Sequence, residues 1–200
     1  MVNMRKPKSI SDETKGAILG AAWQLIVERG RTDIGMAEIA GAAGVSRQAV
    51  FYAFGGRPGL LLAMVRQKDR MSDHVERLGR LAATPDPDRE TLAAYAGVWL
   101  DYLPIIYPVG ILLDAASLTD EDAAAAWRDR MIDSLLGGFR RLAAAVHAKQ
   151  PFDDDPLRLA DALWAQVHPT MWRRLVAECG WSPEDFRKRQ MEMCRGLIGL

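Results

Sequence analysis

The sequence predicts an all-α protein of about nine helices, with an N-terminal three-helix unit ahead of a larger helical body. Three observations carry this. Apolar residues recur at spacings of three and four through most of the 200 residues. No run alternates with period two between hairpin turns. Capping and stop residues punctuate the periodic segments where helices would begin and end. A hydrophobic share of 49% with 26% charged residues excludes disordered and low-complexity classes and supplies a sizeable core.

The first helix is expected from about Ser11 to Arg29, with Ile18, Ala22, Leu25 and Ile26 on its inner face. Ser11 or Asp12 can cap it and Gly30 can stop it. Two short helices follow, Met36–Ala43 and Arg47–Phe54. A long helix is expected from about Pro58 to Ala83, with Leu61, Met64, Val65, Met71, Val75 and Leu78 inward. Its end falls at Thr84-Pro85-Asp86-Pro87-Asp88, where prolines remove donors and restrict the residues before them. Further helices are expected at about 88–103, 105–117, 120–148, 156–178 and 183–198. Asp153–Asp155 reads as a solvated linker feeding an N-cap rather than a metal-ligand cluster.

Lys and Arg number 26, as do Asp and Glu, yet the charge is unevenly spread. Residues 1–70 hold 11 basic against 6 acidic side chains, and residues 71–200 hold 15 against 20. A basic head on an acidic body suggests a nucleic-acid or membrane partner for the head, and solvated charge alone can also produce it. Two cysteines, Cys179 and Cys194, are too few for a disulfide framework and fit a reducing, cytoplasmic setting. The basic N-terminus opens into no apolar run, so no secretory signal is expected. The stretch Tyr95 to Leu118 is interrupted by Asp101, Pro104, Pro108, Gly110 and Asp114, which argues against a membrane span.

Met36–Gly55 carries the chemistry. Ala40 must be small if a second helix crosses over it, and Gly44 suits a left-handed helix stop. Ser46 can cap the second helix through its hydroxyl, and Val45 with Val50 has the spacing of a hydrophobic staple. Ile39, Ala43, Val45, Val50 and Phe54 then point inward, which leaves Arg47, Gln48, Phe51 and Tyr52 for the outer face and first turn. Arginine pairs bidentately with guanine and glutamine with adenine, so a helix end carrying both can read base edges in a major groove. The bland alternative is a helical corner that only packs.

Thr14, Ile18, Ala21-Ala22, Leu25, Gly30, Ile39-Ala40, Gly44-Val45-Ser46-Arg47, Phe54 and Leu60-Leu61 resemble, in order and spacing, the N-terminal signature of the TetR family of bacterial transcriptional regulators. The likeness covers about residues 10–62. Leu163-Trp164-Ala165-Gln166-Val167-His168 is similar to a Trp-x-x-x-His segment of some members' ligand domains. Three positions depart from the pattern: Gly35 for a capping threonine, Phe51 for a recognition-helix tyrosine, and Arg57 for a lysine.

The resemblance implies a helix-turn-helix DNA-binding domain at 1–56 and a helical ligand-binding and dimerisation domain at 57–200. It implies a homodimer on a pseudo-palindromic double-stranded operator, most simply a repressor released by a small-molecule effector, with no cofactor and no metal. Arg47, Gln48 and Tyr52 would contact bases or nearby phosphates, with Ser46 and Phe51 beside them. Arg57 would meet a phosphate, and Arg5, Lys6 and Lys8 would form an arm along the backbone or minor groove.

In the body, Trp99, Tyr102, Tyr107, Trp127, Trp164, His168 and Trp172 could together line a cavity for an apolar or aromatic ligand, with Asp114 as a polar group favouring a cation. Leu175, Val176, Phe186, Met193, Leu197 and Ile198 could supply a two-fold helical interface. Two alternatives stand. A small helical enzyme would have to use His74, His147, His168, Cys179 and Cys194, which form no recognisable catalytic motif. A helical interaction module would leave the Arg47/Gln48 turn without a role.

Overall fold

The computed structural model describes residues 10–200, and every described element is helical. The head comprises α1 (Asp12–Arg29), α2 (Met36–Ala42) and α3 (Arg47–Phe54). α1 begins where Ser11 Oγ accepts the Thr14 N–H and ends on Gly30 at φ 64°, as the cap and stop residues predict. Ile18, Ala22 and Ile26 are fully buried beneath Ile39, Ala40 and Val50, so the three helices share one small core.

The body follows with α4 (Arg57–Arg70), α5 (His74–Ala82) and α6 (Arg89–Ala116). α7 (Glu121–Trp127) runs through a π-helical stretch, Arg128–Leu136, into α8 (Gly137–His147). α9 (Pro156–Gln166) precedes α10 (Pro169–Trp172), which continues as a second π-helical stretch, Arg173–Glu178, and α11 (Pro183–Ile198) closes the chain. Asp155, the last residue of the acidic linker, caps α9 by accepting the Leu157 N–H, which fits its reading as a linker.

Three expectations about the body change. The long helix from Pro58 breaks at residues 71–73, where the Ser72 hydroxyl accepts the His74 N–H and competes with the helical ladder. The break turns α5 so that His74 is buried, while Met71 and Val75, expected inside, are exposed. Conversely, α6 is one 28-residue helix, although Pro104 and Pro108 suggested two. An interior proline costs about 3 kcal/mol. The burial of Leu100, Leu103, Ile106, Val109 and Leu113, together with a capping box between Asp88 and Thr91, offsets it. α6 is long and apolar enough to cross a membrane, yet 61% of its most apolar window is buried inside the fold. Finally, the helix expected at 156–178 stops at Val167, because Pro169 opens a new first turn that His168 caps.

α4 joins the two parts. Its first turn lies so close to the end of α3 that a Cβ on Gly59 would collide with the Phe54 carbonyl. Gly55 and Gly56, both at positive φ, make the connection that no other residue type adopts without strain. Lys68 Nζ stands 4.5 Å over the Trp23 ring, tying the far part of α4 to α1.

Candidate nucleic-acid interface and body cavity

The surface of α3 follows from its sequence. Ser46 Oγ accepts the Ala49 N–H at 3.1 Å, so the cap forms as its spacing predicts. Gly44 takes φ 68°, and Val50 is fully buried on Ile39 and Ala40. With that side turned in, Arg47, Gln48, Phe51 and Tyr52 face solvent, Phe51 59% and Tyr52 67% exposed. Two large aromatic side chains are costly to leave in water with no partner to cover them, and both sit beside the free polar first turn. Gln48 Nε2 donates to Tyr52 Oη at 3.2 Å, so two of the four are already held in one orientation. Gly35 caps α2 without a side-chain bond, as its lack of a hydroxyl requires.

Arg57 is placed differently from the phosphate contact expected of it. Its guanidinium turns to the body, forking onto Asp120 with Nη1–Oδ1 at 2.8 Å and Nη2–Oδ2 at 2.6 Å. It also meets Asp122 at 3.2 Å and the Thr32 carbonyl at 2.8 Å. The Asp120 carboxyl is held down to about 2, chiefly by the hydrogen bond from Arg57, and the Arg57 guanidinium is raised in turn. The reason is topological: Asp120 caps α7 through the Asp122 and Ala123 N–H groups, and the α6–α7 corner rests against the α1–α2 loop. Arg5, Lys6 and Lys8 lie outside the described residues.

The aromatic residues expected to share one cavity divide into four groups. Trp99 and Trp127 line a small cavity of about 20 Å³ between α4, α6, α7, α10 and the first π-helical stretch, with Ile106, Leu113 and Met131. Tyr102 does not reach it; its buried O–H donates to Asp69 Oδ1 at 3.0 Å, and its phenol is pushed well above its ordinary range, first by desolvation. Trp164 and His168 stand outside it, with ring centroids 5.2 Å apart and Trp127 5.3 Å from His168 on the other side. His168 Nδ1 is used in capping α10, where it accepts the Thr170 N–H, and burial lowers its imidazole. Asp114 is also outside the cavity, 3.9 Å from His168 Nε2, so the reason to favour a cationic ligand disappears. Tyr107 and Trp172 pack together toward Phe186 of α11.

Sequence reasoning missed the polar end of this cavity. Asp69 and Arg130 line it, with Asp69 Oδ2 and Arg130 Nη2 in a 2.6 Å charge contact. His74, stacked on Tyr102 at 3.5 Å, places Nε2 3.4 Å from Asp69 Oδ1. The partners come from α4, α5, α6 and the π-helical stretch, and only a charged residue on an apolar stripe hinted at them. In the C-terminal pair, Phe186 and Ile198 are buried in the chain's own core, whereas Met193, Leu197 and Trp181 remain exposed.

A capped recognition-type helix crossing a second short helix, with polar and aromatic side chains presented to solvent, defines a helix-turn-helix protein with a large helical body. The sequence model of the bacterial regulatory proteins of the tetR family matches residues 18–64, the segment that runs from α1 through α2 and α3 into α4. The chain is 30% identical over 101 residues to the HTH-type transcriptional activator FasR of Mycolicibacterium smegmatis, a match spanning 50% of this chain and 45% of that protein. It is 30% identical over 84 residues to the HTH-type transcriptional regulator TtgR of Pseudomonas putida, spanning 42% of this chain and 40% of that one. These matches therefore span less than half of the relatives' lengths. The fold is similar to that of NalD, the secondary repressor of the MexAB-OprM multidrug efflux pump in Pseudomonas aeruginosa. There the TM-score is 0.66 at 21% identity, over 92% of this chain and 94% of that one.

Proposed function

We propose that the protein is a sequence-specific, DNA-binding transcriptional regulator of the cytoplasm: a homodimer that represses from a pseudo-palindromic operator and is released by a small-molecule effector. The observation that carries the reading is the exposed quartet Arg47, Gln48, Phe51 and Tyr52 on a helix capped by Ser46. Residues 1–56 act as the DNA-binding head and 57–200 as the effector and dimerisation body. Arg47 and Gln48 read base edges, Tyr52 and Phe51 contact the backbone and thymine methyl groups, and the arm with Arg5, Lys6 and Lys8 follows the duplex. The excess of basic residues in 1–70 supports this.

The effector is assigned to the cavity bounded by Trp99 and Trp127. At about 20 Å³ the cavity holds roughly one water, so any organic effector must part its walls. Binding therefore favours a different arrangement of α4, which is the condition for a ligand to shift an equilibrium. The exposed Met193 and Leu197, one turn apart on α11, support a helical two-fold interface.

A mobility shift on the region upstream of the protein's own gene tests the first part. Affinity is expected to fall by about 1,000-fold or more between 50 and 200 mM salt, the loss typical of six or more phosphate contacts. A flat salt dependence, or no shift, would sink it. For assembly, light scattering is expected to give twice the mass of one chain, and a monomer that persists at all concentrations rules out the two-fold reading.

A further inference from the structure

We infer that Asp69, His74, Asp129 and Arg130 form a two-way catch at the far end of α4. A proton taken up by His74 from solvent transfers the Asp69 carboxylate from Arg130 to His74, frees α4 from the first π-helical stretch and so weakens operator binding. The last step rests on the DNA-binding reading, whereas the catch itself does not.

Unmet hydrogen-bonding capacity is gathered at this one junction. His74 is 2% exposed and stacked on Tyr102, yet neither ring nitrogen has a hydrogen-bond partner among the described residues. The other two histidines are in use: Nδ1 of His147 accepts the Phe152 N–H, and Nδ1 of His168 accepts the Thr170 N–H. Asp69 Oδ1 accepts from Tyr102 at 3.0 Å and stands 3.4 Å from His74 Nε2. Asp69 Oδ2 meets Arg130 Nη2 at 2.6 Å, but only as a charge contact without hydrogen-bond geometry, which leaves the buried oxygen unpaired. Asp129 Oδ2, 3.9 Å from Arg130 Nη1, is buried and unpaired as well. Buried polar atoms without partners are costly, so the cluster favours any second pairing that employs them.

Such a pairing lies within reach. If Asp69 turns to His74, Arg130 is left beside Asp129, and no charge is stranded. In the pairing described, Asp69 holds α4 to the π-helical stretch; in the other it holds α4 to α5, and of these ion pairs only Arg66–Asp129, at 2.8 Å, still reaches the stretch. An imidazolium donates to a carboxylate more strongly than a neutral ring does, and a ligand that prefers one of two arrangements shifts the population toward it. The proton is that ligand, so the His74 pairing gains as pH falls. Asp69 borders a groove of about 520 Å³ at the break between α4 and α5, which brings solvent to the carboxylate. The other ionisable neighbours offer the ring no competing acceptor. Tyr102 of α6 donates to Asp69, and Asp73 of α5 is exposed and faces Arg77, which Asp101 of α6 also holds. Arg70 of α4 and Arg140 and Arg141 of α8 are exposed. Arg130 contacts the Asp69 oxygen other than the one that faces the ring, and it moves toward Asp129 in the same step.

The full-length protein and its His74→Phe variant, which keeps a stacked ring but takes up no proton, are compared between pH 8 and 5.5 at constant ionic strength, within the range where histidines ordinarily titrate. Without DNA, tryptophan fluorescence reads the catch, because the Trp99 ring lies 6.3 Å from His74. The parent's signal is expected to change on acidification by a component that His74→Phe lacks. With the duplex bound at pH 8, the parent's affinity is expected to fall about 10-fold or more by pH 5.5, and that of His74→Phe to stay level. A fall is diagnostic, since added positive charge alone tightens binding to a polyanion. In Arg130→Gln the catch is already open, so its affinity at pH 8 is expected to lie near the parent's at pH 5.5 and to change little between them; this variant carries the comparison if His74→Phe fails to fold. Fluorescence changes that are the same in parent and His74→Phe would overturn the catch. A parent affinity independent of pH, a His74→Phe protein that weakens as the parent does, or an Arg130→Gln protein that falls in parallel with it would overturn the link to the operator while leaving DNA binding standing. Absence of duplex binding at every pH removes the DNA-binding reading, and the fluorescence comparison then decides the catch alone.

Discussion

Alanine at both Arg47 and Gln48 is expected to abolish the sequence-specific mobility shift while leaving the protein folded. Both side chains are exposed on the first turn of α3, so their removal leaves no cavity and no buried unpaired group. Their loss should change stability by no more than about 0.5 kcal/mol, the usual range for surface positions. Each good bidentate base contact is worth about 1–3 kcal/mol of discrimination, and a two-fold dimer would lose four such side chains at once. The expected loss is thus about 1,000-fold or greater against the cognate duplex, with residual binding that no longer distinguishes sequences. Circular dichroism and a thermal melt identical to the parent's would show that the head survives. Undiminished specific binding by this double variant would refute the assignment of α3 as the reading helix.

Arg57→Ala should instead be a stability variant. It leaves Asp120, Asp122 and the Thr32 carbonyl without their shared cation at the junction of head and body. The ion pair is about four-fifths shielded from solvent, so the loss should lie between the surface and fully buried cases, about 2 kcal/mol near neutral pH. The Asp120 carboxyl is depressed in the folded protein to about 2, against about 3.9 for an unfolded chain. Such a group contributes stability above the unfolded value and loses it as pH falls toward the folded one. Urea denaturation should therefore show parent and variant well separated at pH 7 and converging between about pH 4 and 2. A gap that stays constant across that range, or widens, would show that Asp120 is not the partner that matters.

The head was legible because its signals are local. Ser11, Gly30, Gly44 and Ser46 each act within four residues of themselves, and all four take the cap or stop role that their chemistry suggests. The outward placement of Arg47, Gln48, Phe51 and Tyr52 follows from the inward placement of Val50. In the body, decisions pass to partners distant in the chain. Arg57 answers to Asp120, 63 residues away, and no spacing rule links them. The helix break at residues 71–73 carries no proline or glycine; it forms where Asp69 and His74 can both be buried beside Tyr102. Two prolines in α6 gave the opposite error, since the apolar surface buried around them outweighs the lost ladder bonds. Of the aromatic residues, Trp99, Tyr102, Trp127 and Trp172 are buried while Tyr107, Trp164 and His168 are half-buried, and helix rotation, which depends on the neighbours, decides which of them share a wall.

The tight seat of Gly59 against the Phe54 carbonyl has a mechanical consequence. With room for only a hydrogen between Gly59 and the Phe54 carbonyl, a change in the angle of α4 is expected to carry α3 with it. α4 has 14 residues, about 21 Å of axis at 1.5 Å per residue. A tilt of about 10° about its far end would therefore swing the reading helix by roughly 4 Å, more than a hydrogen bond to a base edge tolerates. In a two-fold assembly the two swings add in the half-site spacing, so a ligand that parts the walls by little more than an atom's width could still uncouple both readers from one operator.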